Sequence, residues 1–253
     1  MEPIFKSLTL FFPMWNEEEM ILQTVDAARE TGDDLVGAGT IASYEVLLVD
    51  DASTDATGRI ADELAYGDNR IRVIHHPVNR KLGGSVKTGL TEARGDIILY
   101  TDADMPFDLQ DLHKALRLLR IYDADIVSAY RFDRTGEGAL RAVYSYVYNS
   151  MVKGLLRLRM RDVNFAFKVV RREVLEHVDL ISEGSFIDVE LLAKAQRRGF
   201  HIIQFGVDYF PRARGTSTLS SPKVIVNILR ELVRILPSLQ KVKPLPEHAV
   251  RRR

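Results

Sequence analysis

The sequence predicts an α/β fold in which helices cover both faces of a largely parallel central sheet. Two observations predict this class. Short, continuous apolar runs alternate with amphipathic helical segments through the first half of the chain, as in strand–helix–strand units. The apolar runs show no polar alternation, which is typical of strands buried on both faces of a parallel sheet. With 253 residues, 46% of them hydrophobic, the chain can bury a sizeable core although it contains no cysteine.

The expected elements of the first half follow one another in regular order. Ser53, Thr54 and Asp55 are candidate N-caps of the second helix, and Gly83 with Gly84 opens the third. We expect strands at 8–12, 44–49, 71–74, 97–101 and 126–129, and helices at 17–29, after the caps, from 83 onwards and at 108–120.

The second half of the chain is less regular. We expect a helix at 140–158, a strand at 163–170, a helix at 188–198 ended by Gly199, a strand at 200–209 and a strongly amphipathic helix at 222–236. No internal repeat or linker rich in Pro, Gly or Ser is present. We therefore expect one large domain at 1–219. An amphipathic helix and a basic tail follow it at 220–253.

Charge is divided unevenly between the two halves, although 35 basic and 35 acidic residues give a formal net charge of zero. Residues 1–125 carry 23 acids and 12 bases, whereas residues 126–253 carry 12 acids and 23 bases. Overall neutrality argues against a generic nucleic-acid binder. The absence of cysteine excludes a disulfide scaffold, a cysteine zinc site and a thiol nucleophile.

Membrane-spanning and export segments are not expected. No apolar stretch approaches the roughly 18 residues that a spanning helix needs, and the N-terminal apolar run is too short for a secretory signal. We therefore expect a soluble or peripheral protein of the cytoplasm.

Polar residues follow several of the expected strands at the point where each strand ends. They are the segment 13–16, Asp50 with Asp51, the segment 102–104 and Arg131. In parallel sheets ligands bind at the carboxyl ends of the strands. The sequence therefore predicts that these residues share one binding edge.

Asp102 and Asp104 are candidate metal ligands. Two carboxylates at positions i and i+2 after a strand can converge on a hard divalent cation such as Mg²⁺ or Mn²⁺, which would neutralise a diphosphate. A bare Asp-x-Asp is a weak signal, because solvated loop acids often produce it. The apolar run before it and the second acidic pair at Asp50 and Asp51 favour the metal site.

Three further features suggest nucleotide binding, each with an ordinary structural alternative. Asp51 could accept hydrogen bonds from a base or ribose, or serve as a turn residue. Trp15, the only tryptophan, could stack on a nucleobase or join the core. The segment from Lys81 to Ser85 could present backbone N–H groups to a phosphate, or form a plain turn.

Arginines of the second half are candidate phosphate ligands, because guanidinium groups bind phosphate through two hydrogen bonds. Any one of them is more often a solvated surface charge, so the interpretation depends on their convergence. They are Arg131, Arg134, Arg141, Arg212 and Arg214.

These motifs together resemble those of a known family. The segment Pro13-Met14-Trp15-Asn16-Glu17 resembles the Pro-x-Tyr-Asn-Glu opening of family-2 glycosyltransferases of the GT-A fold, and 49–55 resembles their Val-Asp-Asp-Gly-Ser-x-Asp signature. Segments 79–89, 93–96 and 102–104 follow in the family's order. The late pattern Arg-x-x-Gly-x-Ser begins at Arg212 and is similar to that of the polyprenol-phosphate sugar synthases, such as the dolichyl-phosphate mannose and glucose synthases.

The resemblance implies roles for particular residues. Pro13, Trp15, Glu17 and Asp51 would hold the nucleotide, with Lys81 and Gly84 in the phosphate loop. Asp102 would lie by the ribose and diphosphate, and Asp104 would ligate the metal. Around the acceptor phosphate and the donor diphosphate would lie Arg131, Arg141, Ser145 and Arg212.

Three departures from the family pattern limit this transfer. Trp15 replaces a tyrosine, and Lys81 stands at a usual glycine. The segment 105–107 offers no glutamine ligand of the kind that mannose synthases commonly have. The metal shell and the identity of the sugar are therefore open.

The resemblance also implies a reaction, an inverting displacement by which a hexose passes from a UDP- or GDP-linked sugar to a polyprenyl phosphate, with Asp104, Arg131 and Arg212 as catalytic residues. A lipid phosphate is already ionised and needs no general base, whereas a hydroxyl acceptor needs one. Asp188 and Glu190 are the candidates, although acids in the first turn of a helix have an ordinary structural explanation. A catalytically silent nucleotide-binding module is the remaining alternative.

The amphipathic helix at 222–236 suggests a membrane surface as partner. Its broad apolar face opposes a narrower basic one, and Arg251–Arg253 add positive charge that anionic lipid attracts. Packing on the domain core or on a dimer partner explains the pattern equally well. The expected location is the cytosolic face of a membrane, with a homodimer or a separate membrane subunit as possible partners.

Overall fold

The structure is a computed structural model of the 253-residue chain. It describes residues 2–132, 154–158, 160–209 and 222–246, with the side chains of 222–229 left out. The helix expected at 140–158 falls largely outside the described residues.

Strands and helices alternate through the first half, as expected. The strands are β1 (Phe5–Met14), β2 (Ile41–Asp50), β3 (Ile71–His75), β4 (Ile97–Thr101), β5 (Ile126–Arg131), β6 (Phe167–Arg171) and β7 (Ile202–Val207). The helices of the described residues are α1 (Ile21–Gly37), α2 (Thr57–Gly67), α3 (Lys81–Glu92), α4 (Asp111–Ile121), α5 (Arg172–His177), α6 (Ile187–Arg198) and α7 (Pro222–Lys241).

The seven strands form one sheet in the order β3-β2-β1-β4-β6-β5-β7. β1 is parallel to β2 and β4, β2 is parallel to β3, and β5 is parallel to β7. Only β6, among the described strands, runs antiparallel to its neighbours β4 and β5. The predicted class, a largely parallel sheet, is confirmed.

Helices cover both faces, so each face of the sheet has its own apolar core. One face packs on α1 and α4, where the predicted contact residues Leu112, Ala115, Leu116 and Leu119 are all buried. The other face packs on α3, α6 and α7. Burial on both faces explains why the strand sequences are continuously apolar.

Two helices begin later than the sequence predicts, for a shared reason. α1 begins at Ile21 rather than at 17, and α2 begins at Thr57. The prediction that Ser53, Thr54 or Asp55 occupies the N-cap position is wrong, because Ala56 holds it. Asp55 Oδ1 nevertheless accepts the N–H of Thr57, the first residue of α2, at 2.9 Å. These polar residues also connect the loops after β1 and β2.

The C-terminal helix packs on the domain through its described half. Leu232, Ile235 and Leu239 are buried in the α3–α6 face of the core, whereas Val233 is 67% exposed. Of the alternatives for this segment, packing on the core therefore holds for residues 230–241. No helix among the described residues is long and apolar enough to cross a membrane.

Candidate active site

The loops after β1 and β2 are joined by reciprocal hydrogen bonds. Asn16 adopts a left-handed backbone conformation (φ 57°), and its side-chain oxygen accepts the N–H of Thr54 at 2.8 Å. Its own N–H donates to the hydroxyl of Ser53 at 3.0 Å. Between the same two loops, Asp55 accepts the N–H of Glu18 at 3.2 Å. These bonds fix the two expected nucleotide loops relative to each other.

Asp51 organises a third loop, the one that follows β3. The Asp51 carboxylate is buried; its Oδ1 accepts the backbone N–H of Arg80 at 2.8 Å and lies 2.6 Å from His76 Nδ1. Asn79 donates from its side chain to the Asp51 carbonyl at 3.2 Å. Asp51 therefore has the turn-forming role that the sequence left as the alternative, at the edge where a nucleotide is expected.

His75, at the end of β3, lies between two carboxylates. Its Nδ1 is 2.8 Å from Asp50 Oδ2, and its Nε2 is 3.0 Å from Asp62 Oδ1. The bond with Asp62 raises the pKa of His75 above its usual 6.5, and Asp50 acts in the same direction against burial. The first acid of the Asp50-Asp51 pair is therefore an anchor for β3 and α2.

Lys81 keeps a glycine-like backbone at the start of α3. Its φ is 61°, in the left-handed region that favours glycine. The departure from the usual glycine therefore leaves the loop's bend in place, with a side chain added at an exposed position.

Gly83 and Gly84 allow close packing at the start of α3. The Gly83 N–H donates to the Glu183 carbonyl at 3.1 Å, and a Cβ at Gly83 would lie 2.5 Å from that carbonyl carbon. A Cβ at Gly84 would collide with the Cβ of Arg80. The Gly83 N–H is already bonded. For Lys81 and Gly84, a role in binding phosphate stays a prediction.

Asp102 and Asp104 follow β4, the central strand of the sheet, which pairs with β1. Tyr100 on β4 pairs with Phe11 on β1, so Asp102 and Pro13 both lie two residues beyond this pair at the same edge. Both carboxylate oxygens of Asp104 are buried. Thr24 of α1 donates to the carbonyl of Ala103 at 2.6 Å and fixes the turn between the two acids.

These two acids fit a hard cation that takes its remaining ligands from a substrate. Carboxylate oxygens are the ligands that Mg²⁺ and Mn²⁺ prefer, and Mg²⁺ is usually held by one or two carboxylates together with substrate phosphates. No cluster of three or more His, Cys, Asp or Glu side chains that could hold a metal occurs within the described ranges. The residues present therefore suit a cation bound jointly with a diphosphate.

Arg131, at the end of β5, is held by a residue that the sequence did not single out. Its Nε and Nη2 donate to the two carboxylate oxygens of the buried Asp162, at 2.7 and 2.9 Å. The rings of Phe165 and Tyr209 lie 5.7 and 5.2 Å from its guanidinium carbon. This two-point ion pair fixes the plane of the guanidinium at the binding edge.

A second buried ion pair involves the candidate base Asp188. Its Oδ1 lies 2.6 Å from Nζ of Lys168 on β6, and both side chains are almost fully buried. Burial raises the pKa of Asp188, opposed by the Lys168 ammonium and reinforced by Asp162. A buried lysine within an apolar strand gives no periodicity signal, so sequence reasoning missed it.

Glu190, the other candidate base, connects α6 with the loop before it. Its carboxylate accepts the N–H groups of Ile181 and Ser182, the shorter bond being 2.7 Å, and pairs with Lys194 at 2.6 Å. This is the structural role that the sequence left as the alternative. Asp188 is thus the candidate with fewer hydrogen-bond donors around it.

The remaining predicted residues are placed only in part. Trp15 is 56% exposed beside the joined loops, so it is not a core residue. Pro13 and Glu17 are half-buried at the same edge. Arg134, Arg141, Ser145, Arg212 and Arg214 lie outside the described residues. The structure thus brings together the loops of Trp15, Asp51 and Asp102, with Arg131 further along the edge.

Comparison with known proteins identifies a family. A family model described as Glycosyl transferase family 2 matches residues 9–179. Glycosyltransferase AglD of Haloferax volcanii is 34% identical over 210 residues, which are 81% of this chain and 33% of AglD. The chain therefore spans about a third of the length of AglD. Polyprenol monophosphomannose synthase of Mycolicibacterium smegmatis is 31% identical over 192 residues, 71% of either chain.

A solved structure shares the fold. Glucosyl-3-phosphoglycerate synthase from Mycobacterium tuberculosis, in complex with Mn²⁺ and uridine-diphosphate-glucose, superposes with a TM-score of 0.65 at 20% identity. The match covers 96% of this chain and 81% of that one. It confirms the GT-A fold that the sequence resemblance implied.

Proposed function

The chain belongs to glycosyl transferase family 2, and within that family we propose that it transfers a hexose from a UDP- or GDP-linked sugar to a polyprenyl phosphate. One observation carries the proposal. The loops after β1, β2 and β4 lie on three adjacent parallel strands and bring an exposed tryptophan, Asp51 and the Asp102–Asp104 pair to one edge. At that edge the Trp15 ring could stack on a nucleobase, and the acids Asp102 and Asp104 could hold a metal-bound diphosphate.

Asp102 and Asp104 would hold Mg²⁺ or Mn²⁺ together with the donor diphosphate. A cation bound there would neutralise charge on the leaving nucleoside diphosphate. The related fold crystallised with Mn²⁺ and uridine-diphosphate-glucose supports this assignment. Trp15, Pro13, Glu17 and Asp51 would surround the nucleotide, and Lys81 with Gly84 would lie toward its phosphates.

Arg131 is the described residue best suited to the acceptor phosphate. Asp162 and two aromatic rings hold its guanidinium in one orientation, so little side-chain entropy is lost when a phosphate binds. Arg141, Ser145 and Arg212 would complete this acceptor site. The name of the Mycolicibacterium smegmatis relative, a polyprenol monophosphomannose synthase, supports a lipid phosphate as acceptor.

The reaction we propose is one inverting displacement. A phosphate oxygen of the acceptor forms the new bond to the anomeric carbon as the bond from that carbon to the diphosphate oxygen breaks, and the nucleoside diphosphate leaves with the electron pair. Arg131 orients the attacking phosphate, and Arg212 would stabilise charge on the diphosphate. The phosphate nucleophile is already ionised, so no residue has to remove a proton.

A hydroxyl acceptor is the second candidate, because Asp188 is a buried carboxylate in the first turn of α6 whose pKa burial raises. A hydroxyl nucleophile needs a carboxylate to take its proton. In that case Asp188 is the base, and Glu190 is not, since it is bonded to the Ile181–Ser182 backbone.

We further propose that the protein works at the cytosolic face of a membrane, as a catalytic domain at 1–219 followed by a helical segment at 220–253. Arg230 and Arg234 of α7 are exposed while its neighbours Leu232 and Ile235 pack on the core. Exposed arginines on a helix that is anchored on the domain could bind anionic lipid head groups. A homodimer or a membrane subunit would add to such contacts.

The test is a transfer assay with labelled UDP- and GDP-hexoses, polyprenyl phosphate and Mg²⁺ or Mn²⁺. We expect chloroform-soluble label with one preferred donor. Label on a soluble hydroxyl acceptor, with none in the lipid phase, would instead establish the second candidate. If no donor is turned over and nucleotide binding persists without metal, the protein is a nucleotide-binding module without transferase activity.

A matched pair of variants tests the metal assignment. Asp104 and Asp96 flank opposite ends of β4, and Asp96 accepts a bond from the Ser7 hydroxyl at the far edge of the sheet. Asp104→Asn should abolish transfer and the effect of Mn²⁺ on nucleotide binding. Asp96→Asn should leave both unchanged. Equal activity of the two variants would remove Asp104 from the site.

A further inference from the structure

Lys168 is a lysine with no exposed surface in the middle of the sheet. It lies on β6 opposite Tyr100 of β4 and Ser128 of β5, so apolar strands flank it on both sides. Its Nζ donates to the Phe165 carbonyl at 2.8 Å and lies 2.6 Å from Asp188 Oδ1. A buried ammonium requires such partners.

The direction of β6 brings this lysine to the binding edge. β6 is antiparallel to β4, so its beginning pairs with the end of β4: Phe167 is opposite Thr101, the residue before Asp102. The Lys168 ammonium also lies 5.7 Å from the centre of the Tyr100 ring. Lys168 therefore joins the strand of the metal-binding acids to helix α6.

Stability alone does not account for the pair. Replacing a buried ion pair by apolar residues of similar volume is often neutral or stabilising, whereas removing one partner is strongly destabilising. The groups around Asp188 are Lys168 from β6, Asp162 from the loop before it and Tyr100 from β4, whose phenol lies within electrostatic reach of both Asp188 and Asp102. The pair thus holds a carboxylate near Tyr100, which lies two residues before Asp102 on the chain.

We propose that Lys168 is a positioning residue for the transfer reaction, and that it holds the Asp188 carboxylate beside the end of β4. The inference rests on the proposed transferase function with a hydroxyl acceptor, for which Asp188 so placed presents the base. A phosphate acceptor needs no base, so a kcat of Lys168→Met near that of wild type would overturn the proposal.

The test compares Lys168→Met, Asp188→Asn and the double variant with the wild type. Lys168→Met should lower kcat about 10- to 100-fold, the range found when a residue that orients a metal ligand is lost, with KM for the donor within about threefold of wild type. Its relative kcat should recover as pH rises and Asp188 ionises without its partner. The double variant should show no such recovery.

The double variant separates positioning from folding. Because it contains no uncompensated buried charge, its Tm should return to within about 4 °C of wild type while kcat stays low. Recovery of kcat together with Tm would overturn the proposal. A low kcat of Lys168→Met that does not change with pH would also overturn it.

Lys194→Met is the matched control. Lys194 forms a second buried pair on the same helix, 2.6 Å from Glu190, whose carboxylate is bonded to loop N–H groups. This variant should lose stability as Lys168→Met does, with kcat near wild type. An equal loss of kcat in both variants would mean that any buried pair on α6 has this effect.

An infrared spectrum gives a readout that does not depend on activity. If Lys168 holds Asp188 as a carboxylate, Lys168→Met should show a protonated carboxyl band near neutral pH that is absent from wild type and from the double variant. Absence of the band from Lys168→Met overturns the proposal even if the wild type transfers no sugar to polyprenyl phosphate. Its presence in a protein with no transfer would contradict the proposed function alone.

Discussion

Glu231 of α7 accepts the backbone N–H of Phe186 at 3.3 Å, and Phe186 is the N-cap residue of α6. The C-terminal helix therefore supplies a carboxylate to the start of the helix that carries Asp188. A carboxylate at a helix N-terminus is favoured by the helix dipole. The Glu231 side chain also packs closely on Gly184, so the contact has little room for a larger neighbour.

Glu231→Gln should change how stability depends on pH. Burial raises the pKa of Glu231 above its usual 4.5, so the folded state binds a proton more readily than the unfolded state. The group's contribution is present below the unfolded pKa and is lost as pH rises through the folded pKa. The Tm of the variant relative to wild type should therefore increase from about pH 4 to about pH 7. A constant difference would contradict this.

His75→Gln should make the free energy of unfolding less dependent on pH, at higher pH values than in the Glu231 variant. The bond with Asp62, assisted by Asp50, raises the pKa of His75, so its stabilisation is present below about 6.5 and is lost as pH rises through the folded pKa. Denaturation from about pH 6 to about pH 8 should show wild type losing stability that the variant does not lose. If the stability of wild type and of the variant changes with pH in the same way, His75 is not the source of the pH dependence.

Gly83→Ala should destabilise the protein by about 1–3 kcal/mol, because its Cβ would press on the Glu183 backbone rather than on a flexible side chain. Gly37→Ala is the control: a Cβ there meets nothing within 4 Å, so urea denaturation should show no loss. Equal losses of unfolding free energy in the two variants would show that the loop at Glu183 moves to accommodate the added Cβ.

Trp15→Ala should weaken nucleotide binding by about 1–3 kcal/mol, the usual size of base stacking on an aromatic side chain, with little change in Tm because the ring is 56% exposed. Since Trp15 is the only tryptophan, titration of wild type with UDP or GDP should change its fluorescence directly. Tyr66→Ala, at a 97% exposed position on α2, should bind as wild type does.

Hydrophobic pattern and turn residues were sufficient to predict the order of the first nine elements and the edge at which polar residues collect. The first residues of β1 and α1 were harder to predict. Pairing of Phe5 with Ile41 lengthens β1 at its start, and the hydrogen bonds of the Glu17 and Glu18 N–H groups to the next loop make α1 begin later. Such contacts join residues far apart in sequence, and periodicity does not report them.

Strand direction and buried charge could not be predicted in the second half. An apolar run has the same composition whether its strand is parallel or antiparallel, so the reversal of β6 has no sequence signal. Asp162 and Lys168 would each be interpreted as solvated surface charges. Only the fold shows that Asp162 meets Arg131 and that Lys168 meets Asp188.

The reversal of β6 also determines where the long connection before it is attached. Arg131 ends β5 at the binding edge, and Phe167 begins β6 at that same edge on the adjacent strand. Neighbouring strands lie about 4.8 Å apart, so the two attachment points are fixed whatever the length between them, and doubling such a connection costs only about 0.6 kcal/mol of closure entropy. The described end of this connection is tied to both of its flanks, because Asp162 holds Arg131 and Phe165 packs on Phe107 after β4. A change near Asp162 would therefore be felt at the ends of both β4 and β5.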